Sequence, residues 1–161
     1  MENELSADVR CPGGLSVLSD RYVAEHLLSL NVISGAEGLV LSPDDAAAVA
    51  ANRSQALCDT ERVEFGTGAL DMIVSTFCRS SYISRNNWRD TLSAVVEIFY
   101  SAKNETCDLV SDSETVGFLF DAFDGFCAGS LELLSEVALP EFAAHIRNGG
   151  SVENFVLSGD L

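Results

Sequence analysis

Positive charge is scarce in this chain. Lys103 is its only lysine, and eight arginines complete the basic side chains, whereas 25 residues are Asp or Glu and the net charge is −16. A surface this acidic repels phosphate backbones, so we expect no nucleic-acid partner. No apolar run approaches the ~18 residues that a membrane span needs, so we also expect no membrane partner.

The motifs of several common chemistries are missing as well. The chain has neither the G-x-x-x-x-G-K-[ST] nor the G-x-G-x-x-G pattern of phosphate-binding loops, and it has no G-x-S-x-G element of a serine hydrolase. Its cysteines form no C-x-x-C pair, and no loop has the ligand spacing of a calcium-binding EF-hand. We therefore expect no cofactor and no metal, and we favour a protein that is not an enzyme.

The two histidines are the candidate bases that remain. A Cys–His pair involving His26 or His145 stays open, although buried structural cysteines are the simpler explanation. Glu141 and His145 can share a helix face, but a metal site would need further ligands. The glycines of Gly66-Thr67-Gly68 precede a predicted helix, and a flexible helix start explains them better than an anion site.

Cysteine usage and the first residues favour the cytoplasm. The five cysteines are an odd number and are widely spaced, which is typical of reduced thiols in a cytosolic protein. Residues 1–8 are acidic, whereas a secretory signal begins with basic residues followed by an apolar stretch. We expect a cytoplasmic protein.

The apolar residues that are present follow a helical period. Residues 70–78 repeat the i, i+3, i+4, i+7 pattern of one helix face, and no long segment alternates as a strand does. Ser19 or Asp20, Ser42 before Pro43, and Ser111 have the side chains that cap helix N-termini. Pro140 is expected to end or kink the last helix.

These patterns predict an all-α fold, an irregular bundle of about six helices with no substantial sheet. We predict a single helical domain over residues 19–150, preceded by a loosely ordered N-terminal arm, residues 1–18. A C-terminal tail, residues 151–161, either docks on the bundle as an extended strand or stays loose.

Glu64-Phe65-Gly66 and the runs at residues 77–83 and 99–105 carry a family likeness. With these stretches the chain resembles a family of small, uncharacterised bacterial proteins of unknown function. The likeness is clearest over residues 60–105 and extends over about residues 19–147. It implies a bacterial and cytoplasmic protein, and it implies no activity and no active site.

The few positive charges are unevenly distributed. Residues 79–103 hold four of the nine cations against two acids, a local net charge of +2, while the rest of the chain carries −18. Aromatic residues lie among these arginines, and this composition is enriched at binding hot spots. We hypothesise a partner-binding surface formed by Arg79, Tyr82, Arg85, Trp88 and Arg89. The alternative is that the arginines pair with acids of neighbouring helices in the same chain.

Two acids interrupt the most apolar of the predicted helices. Asp121 and Asp124 lie three residues apart and therefore on one edge of a helix that is apolar almost all round. One interpretation is that they mark the single solvated edge of this helix. The other is that they are pocket carboxylates with raised proton affinity, suited to acid–base chemistry or cation binding.

Taken together, the sequence favours a non-enzymatic, acidic helical protein that acts through protein–protein association, as a homo-oligomer or an accessory subunit. The alternative is a small-molecule- or cation-binding protein, or an enzyme, with a pocket between helices. A small-molecule ligand thus stays open beside the protein partner.

Overall fold

The structure is a computed structural model that describes residues 18–157. Within that range it has six principal helices and no strand, which confirms the predicted all-α bundle. Most of the predicted N-terminal arm, residues 1–17, and the end of the tail, residues 158–161, lie outside the described residues. No helix in this range is long and apolar enough to cross a membrane.

The helices are numbered here in chain order. They are α1 Asp20–Ser29, α2 Pro43–Asp59, α3 Gly68–Phe77, α4 Trp88–Glu105, α5 Asp112–Asp124 and α6, which joins the segments Leu131–Leu133, Leu134–Ala138 and Leu139–Arg147. Two short helical turns, Asn31–Ser34 and Gly35–Glu37, connect α1 to α2.

Three helices begin at the serines that the sequence marks as caps. The Ser19 hydroxyl accepts a hydrogen bond from an N–H group in the first turn of α1. Ser42 with Asp45, and Ser111 with Glu114, form capping boxes at the starts of α2 and α5. In each box two backbone N–H groups that have no partner within the helix find a side-chain acceptor, which fixes where the helix starts.

Helix α4 is the centre of the bundle, because it packs against α2, α3, α5 and α6. Its buried face carries the large side chains of the core, and the small residues Ala46 and Ala50 of α2 are fully buried. Short side chains let helix axes approach closely, so the alanine-rich part of α2 fits between α1 and α4. One side of every principal helix thus faces the core.

Pro140 does not end the last helix, but the turn before it is a π-helix instead of an α-helix. The chain stays helical as far as Arg147, and the segment before the proline, Leu134–Ala138, is a π-helix. Proline has no N–H to donate and its ring crowds the preceding turn, which the wider π turn accommodates. The helix therefore passes through the proline with a local widening.

The tail that follows α6 is fastened through His145. Its Nε2 atom lies 2.9 Å from the carbonyl oxygen of Ser151 and 2.7 Å from Oδ1 of Asn154, so it donates to these acceptors. The imidazole covers Gly150 closely, since a Cβ atom at that position would lie 2.2 Å from a ring atom. A larger residue at position 150 would displace the imidazole from its contacts with Ser151 and Asn154.

Aromatic packing completes the docking of the tail. The Phe155 ring meets Phe142 of α6 and Phe118 of α5 edge-on, at centroid distances of 5.3 and 5.7 Å, and Leu157 is buried. Residues 151–157 are therefore docked on the bundle, but they form no strand, which corrects the extended strand expected from the sequence.

The only lysine lies inside the bundle. Lys103 of α4 is 6 % exposed, and its Nζ donates to the carbonyl oxygen of Val110 and lies 2.9 Å from Oδ1 of Asp112. Both contacts are at the start of α5, so the ammonium group joins α4 to that helix.

Candidate functional site

The five residues of the hypothesised partner-binding surface differ in their exposure to solvent. Arg79 and Arg85 are exposed, and Tyr82 is 44 % exposed. Trp88 is 1 % exposed and belongs to the core, which corrects its inclusion in a surface. It shares a helix face with buried apolar residues four to eight positions further along α4, and that periodicity is the sequence signal for its burial.

Arg89 takes the alternative role of pairing within the chain. Its Nη2 lies 3.0 Å from Oδ1 of Asp90, and its Nη1 lies 3.9 Å from Oδ1 of Asp45 on α2. Neither Arg79 nor Arg85 makes an ion pair with any residue in the range 18–157. Arg79, Tyr82 and Arg85 are thus the exposed residues of the hypothesised surface that take part in no ion pair within residues 18–157.

Arg79 borders an open groove of about 450 Å³ between α3 and α5, which we call the α3–α5 groove. Its guanidinium carbon lies 5.9 Å from the centre of the Phe120 ring, within range of a cation–π interaction. The lining of this groove is Met72, Thr76, Arg79, Ser113, Val116, Gly117, Phe120 and Asp121. A cation and a carboxylate thus lie in one apolar groove.

A second open groove, of about 420 Å³, lies between α5 and the docked tail, and we call it the α5–tail groove. Its lining is Glu114, Gly117, Phe118, Asp121, Ala122, Phe126, Val152, Phe155, Val156 and Leu157. Gly117 and Asp121 line both grooves. The outer face of α5 therefore separates two neighbouring grooves.

The two predicted pocket carboxylates have different surroundings. Asp121 is exposed and lines both grooves. Asp124 is half-buried, accepts a hydrogen bond of 2.8 Å from the Ser80 hydroxyl, and lines neither of these two grooves. The structure thus assigns Asp121 to the candidate site and Asp124 to the contact between α5 and the link after α3.

Gly117 is a feature of this site that sequence reasoning did not single out. It lies inside α5, where glycine costs roughly 0.5–1 kcal/mol relative to alanine. A Cβ atom at this position would meet nothing within 4 Å, so packing within the described chain does not require glycine. The outer face of α5 is bare here, and a glycine in the middle of an apolar helix is the signal that could have drawn attention to it.

His26 contacts an acid and a hydroxyl, but not in the arrangement of a catalytic triad. Its Nε2 lies 2.6 Å from Oδ1 of Asp71 and 3.2 Å from Oγ1 of Thr67. A triad uses one ring nitrogen for the acid and the other for the nucleophile, whereas here both contacts fall on one nitrogen. The cluster joins α1 to the start of α3.

A buried polar network holds the loop between α2 and α3. The Arg53 side chain is 0 % exposed, and its Nη2 lies 3.2 Å from Oε1 of Glu64, which also accepts a 2.8 Å hydrogen bond from the Tyr100 hydroxyl. Burial and the Glu64 charge raise the pKa of Tyr100 well above its usual range, so the phenol stays a donor. This network positions the backbone of the loop, with Arg53 and Tyr100 buried and Glu64 20 % exposed.

Metal-ligand clusters and the Cys78 thiol are the remaining candidates for chemistry among residues 18–157. No group of three or more His, Cys, Asp or Glu side chains is placed to hold a metal ion in this range. Burial, with the Glu37 charge adding to it, raises the pKa of the Cys78 thiol and makes it a poor nucleophile.

Comparison with known proteins places the chain in a family without assigning an activity. Neither the curated proteins nor the solved structures include a match to it. The family model described as "Family of unknown function (DUF6323)" matches residues 26–152, which is well over half of the chain and includes both grooves' helices. The chain therefore belongs to this family of unknown function.

Proposed function

We propose that this protein acts by association with a second copy of itself through the α3–α5 groove, and not by catalysis. The observation that supports this is the pair of opposite charges in the groove, Arg79 beside α3 and Asp121 on α5, with Met72, Val116 and Phe120 as the apolar part of the lining. Two copies related by a two-fold axis need a surface that is complementary to itself. In such a pair, Arg79 of each copy faces Asp121 of the other.

The lack of ion-pair partners for Arg79 and Asp121 within residues 18–157 favours the proposal. Neither Arg79 nor Asp121 is in an ion pair within residues 18–157, so both can pair across an interface. Gly117 has no side chain and lets the second copy approach the backbone of α5. Tyr82 and Arg85, which are exposed on the link after α3, belong to the rim of the proposed interface.

The charge of the whole chain sets a condition on this association. Two copies at −16 each repel one another at long range, so the contact depends on the few cations that face it. We infer a bacterial cytoplasmic setting for the dimer, which the family resemblance and the widely spaced cysteines support.

Charge exchange tests the proposal. We expect Arg79→Glu and Asp121→Arg each to weaken the dimer by about tenfold or more, because each variant places like charges together twice across the two-fold axis. An equimolar mixture of the two variants regains the dimer. In the mixed pair, the two introduced side chains are of opposite charge and face each other, and the unchanged Asp121 of the first copy faces the unchanged Arg79 of the second. Sedimentation velocity over a range of concentrations measures the dimer fraction.

Two control variants make the same charge changes elsewhere. Arg21→Glu changes an exposed arginine of α1, and Glu97→Arg changes an exposed acid of α4, and both are expected to leave the dimer intact. An unmodified protein that is a monomer at every concentration contradicts the proposal. So does a mixture of the two groove variants that fails to associate.

A further inference from the structure

The α5–tail groove has the size and lining of a small-molecule site. Its volume of about 420 Å³ lies within the ~300–1,000 Å³ typical of ligand pockets. Phe118, Phe126 and Phe155 contribute aromatic side chains to it, and Val152 and Leu157 of the docked tail close one side. An apolar ligand body would be covered on two sides, by a helix and by the tail.

The charged groups of this groove are of one sign. Its lining contains Glu114 and Asp121 and contains no Lys, Arg or His. Glu114 uses Oε1 in its capping box with Ser111, and neither carboxylate is neutralised by an ion pair within residues 18–157. The net charge of −16 attracts cations to the whole surface.

Helix geometry places the two carboxylates and Gly117 in a row along one face of α5. Glu114, Gly117 and Asp121 are spaced i, i+3 and i+7 on α5 and therefore share one face, with the bare glycine between the two carboxylates. The Cα atoms of Glu114 and Asp121 are roughly 10 Å apart along the axis, so a cation above Gly117 has a carboxylate on each side. This position is the part of the groove that no side chain of α5 fills.

We propose that the α5–tail groove binds a small organic cation, an aromatic or aliphatic body that carries one protonated amine. The body packs against the phenylalanine rings, and the ammonium group lies above Gly117 between Glu114 and Asp121. Aromatic faces add to the attraction for such a cation, whereas a carboxylate on the same body is repelled by both acids. The α5–tail groove and the proposed dimer contact share Gly117 and Asp121, whereas Glu114 and the tail residues line the α5–tail groove and not the α3–α5 groove.

Three isosteric probes test the charge requirement. Tryptamine, tryptophol and indoleacetate carry the same ring with an ammonium, a hydroxyl and a carboxylate group, and titration calorimetry compares their affinities. We expect tryptamine to bind about fivefold or more tighter than tryptophol, from ion pairs at a partly exposed site, and indoleacetate to bind weakest. Equal affinity of the amine and the carboxylate, or no binding of tryptamine, overturns the proposal.

Matched variants then locate the site. Glu114→Gln keeps the capping box, because glutamine can replace glutamate there, and is expected to reduce tryptamine affinity toward that of tryptophol without changing tryptophol binding. Glu97→Gln removes one charge from an exposed acid of α4 outside the groove and should leave the affinity unchanged. Equal losses in both variants would mean attraction by net charge alone, and would overturn the proposal.

A steric variant tests the position above Gly117, and Glu114→Gln separates this inference from the proposed dimer. Gly117→Leu is expected to remove binding of all three probes while the circular dichroism of the folded protein is retained, since a Cβ atom at this position meets nothing within 4 Å. Glu114 does not line the α3–α5 groove, so Glu114→Gln should leave self-association unchanged. Tryptamine binding by a monomer would refute the dimer alone, and a dimer indifferent to all amines would refute the amine site alone.

Discussion

Arg53 is enclosed more completely than any other charged side chain in the described part of the chain. Its contact with Glu64, and that of Glu64 with Tyr100, join α2, the following loop and α4. A buried charge is costly unless it is paired, so the three residues have to be kept together. The network explains why a loop with the exposed residues Val63 and Phe65 has a defined path over the bundle.

Removing the carboxylate of this network should be strongly destabilising. We expect Glu64→Gln to lower the free energy of unfolding by about 2–4 kcal/mol, somewhat less than for a fully buried pair because Glu64 is 20 % exposed. Urea denaturation measures the change. Tyr100→Phe is the matched control, which removes one hydrogen bond from the same oxygen and should cost only about 1 kcal/mol. Equal losses in the two variants would contradict this account.

Asp108 should make part of the stability depend on pH. Hydrogen bonds from Arg62, at 2.6 and 3.2 Å, hold the pKa of Asp108 below its ordinary value, 3.8. A carboxylate with a lowered pKa in the folded state stabilises the protein above its unfolded pKa, and this contribution is lost as the pH falls through the folded pKa. The relevant window therefore lies at and below about pH 4.

The variant Asp108→Asn tests this at a position with φ of 58°, a left-handed conformation that asparagine tolerates. We expect the variant to be less stable than the unmodified protein at neutral pH and equally stable at about pH 2. Thermal unfolding at both pH values measures the difference. Glu97→Gln, at an exposed acid, should show no such convergence. A constant difference at all pH values would show that the Arg62 contact is not the cause.

Among the structural elements, α5 serves two purposes at once. Its inner face packs Phe118, Leu119 and Phe123 into the bundle, while its outer face carries Gly117 and Asp121 between two grooves. Helix stability would favour a larger residue at position 117, and the chain does not use that position for its own packing. The bare backbone at this position is open to the proposed dimer contact and to the proposed amine site.

Two glycines of this region should respond in opposite directions to alanine. Gly117→Ala is expected to stabilise the protein by about 0.5–1 kcal/mol, because it favours the helix and meets no neighbour. Gly129→Ala should be destabilising by more than about 1–2 kcal/mol. Its φ is +85°, and the new Cβ would lie 2.7 Å from atoms of Tyr82. Urea denaturation of both variants checks the signs, and a loss of stability in Gly117→Ala would mean that the outer face of α5 is already filled.

Local sequence patterns predict most of the helices. The features that the sequence does not predict depend on contacts between residues far apart in the chain. The serine caps and the apolar period predict α2 and α5 because both depend on neighbours within one turn. Arg79 and Asp121 meet in one groove only because α3 packs against α5, and no spacing in the chain specifies that packing. For the same reason the sequence does not predict that the tail docks on His145. The burial of Trp88 is different, because the apolar period of α4 predicts it.

At the scale of the whole molecule, the excess of negative charge opposes compactness. With 25 acids against nine cations, like charges are brought closer together by folding, and most of the pairs that relieve this repulsion are at the surface. Salt shortens the range of the repulsion, from a screening length of ~10 Å at 0.1 M to ~3 Å at 1 M. The folded state should therefore gain from added salt.

We expect the melting temperature at neutral pH to rise as sodium chloride is increased, because the net repulsion outweighs the few surface ion pairs that salt weakens. Near the isoelectric point, about pH 4.2, the repulsion is absent and the rise should disappear. Calorimetric scans at both pH values measure this. A melting temperature that falls with salt at neutral pH would mean that local ion pairs dominate over the overall charge.

The burial of Lys103 has a consequence for covalent chemistry. Reagents and enzymes that modify lysine, such as amine-directed cross-linkers and acetyltransferases, require an accessible ammonium group, and the one lysine of this chain is held against Val110 and Asp112. Modification of that side chain can proceed only while α4 and the start of α5 are apart. The rate at which Lys103 is labelled therefore reports how often the contact between α4 and the start of α5 opens, and no other lysine contributes to that rate.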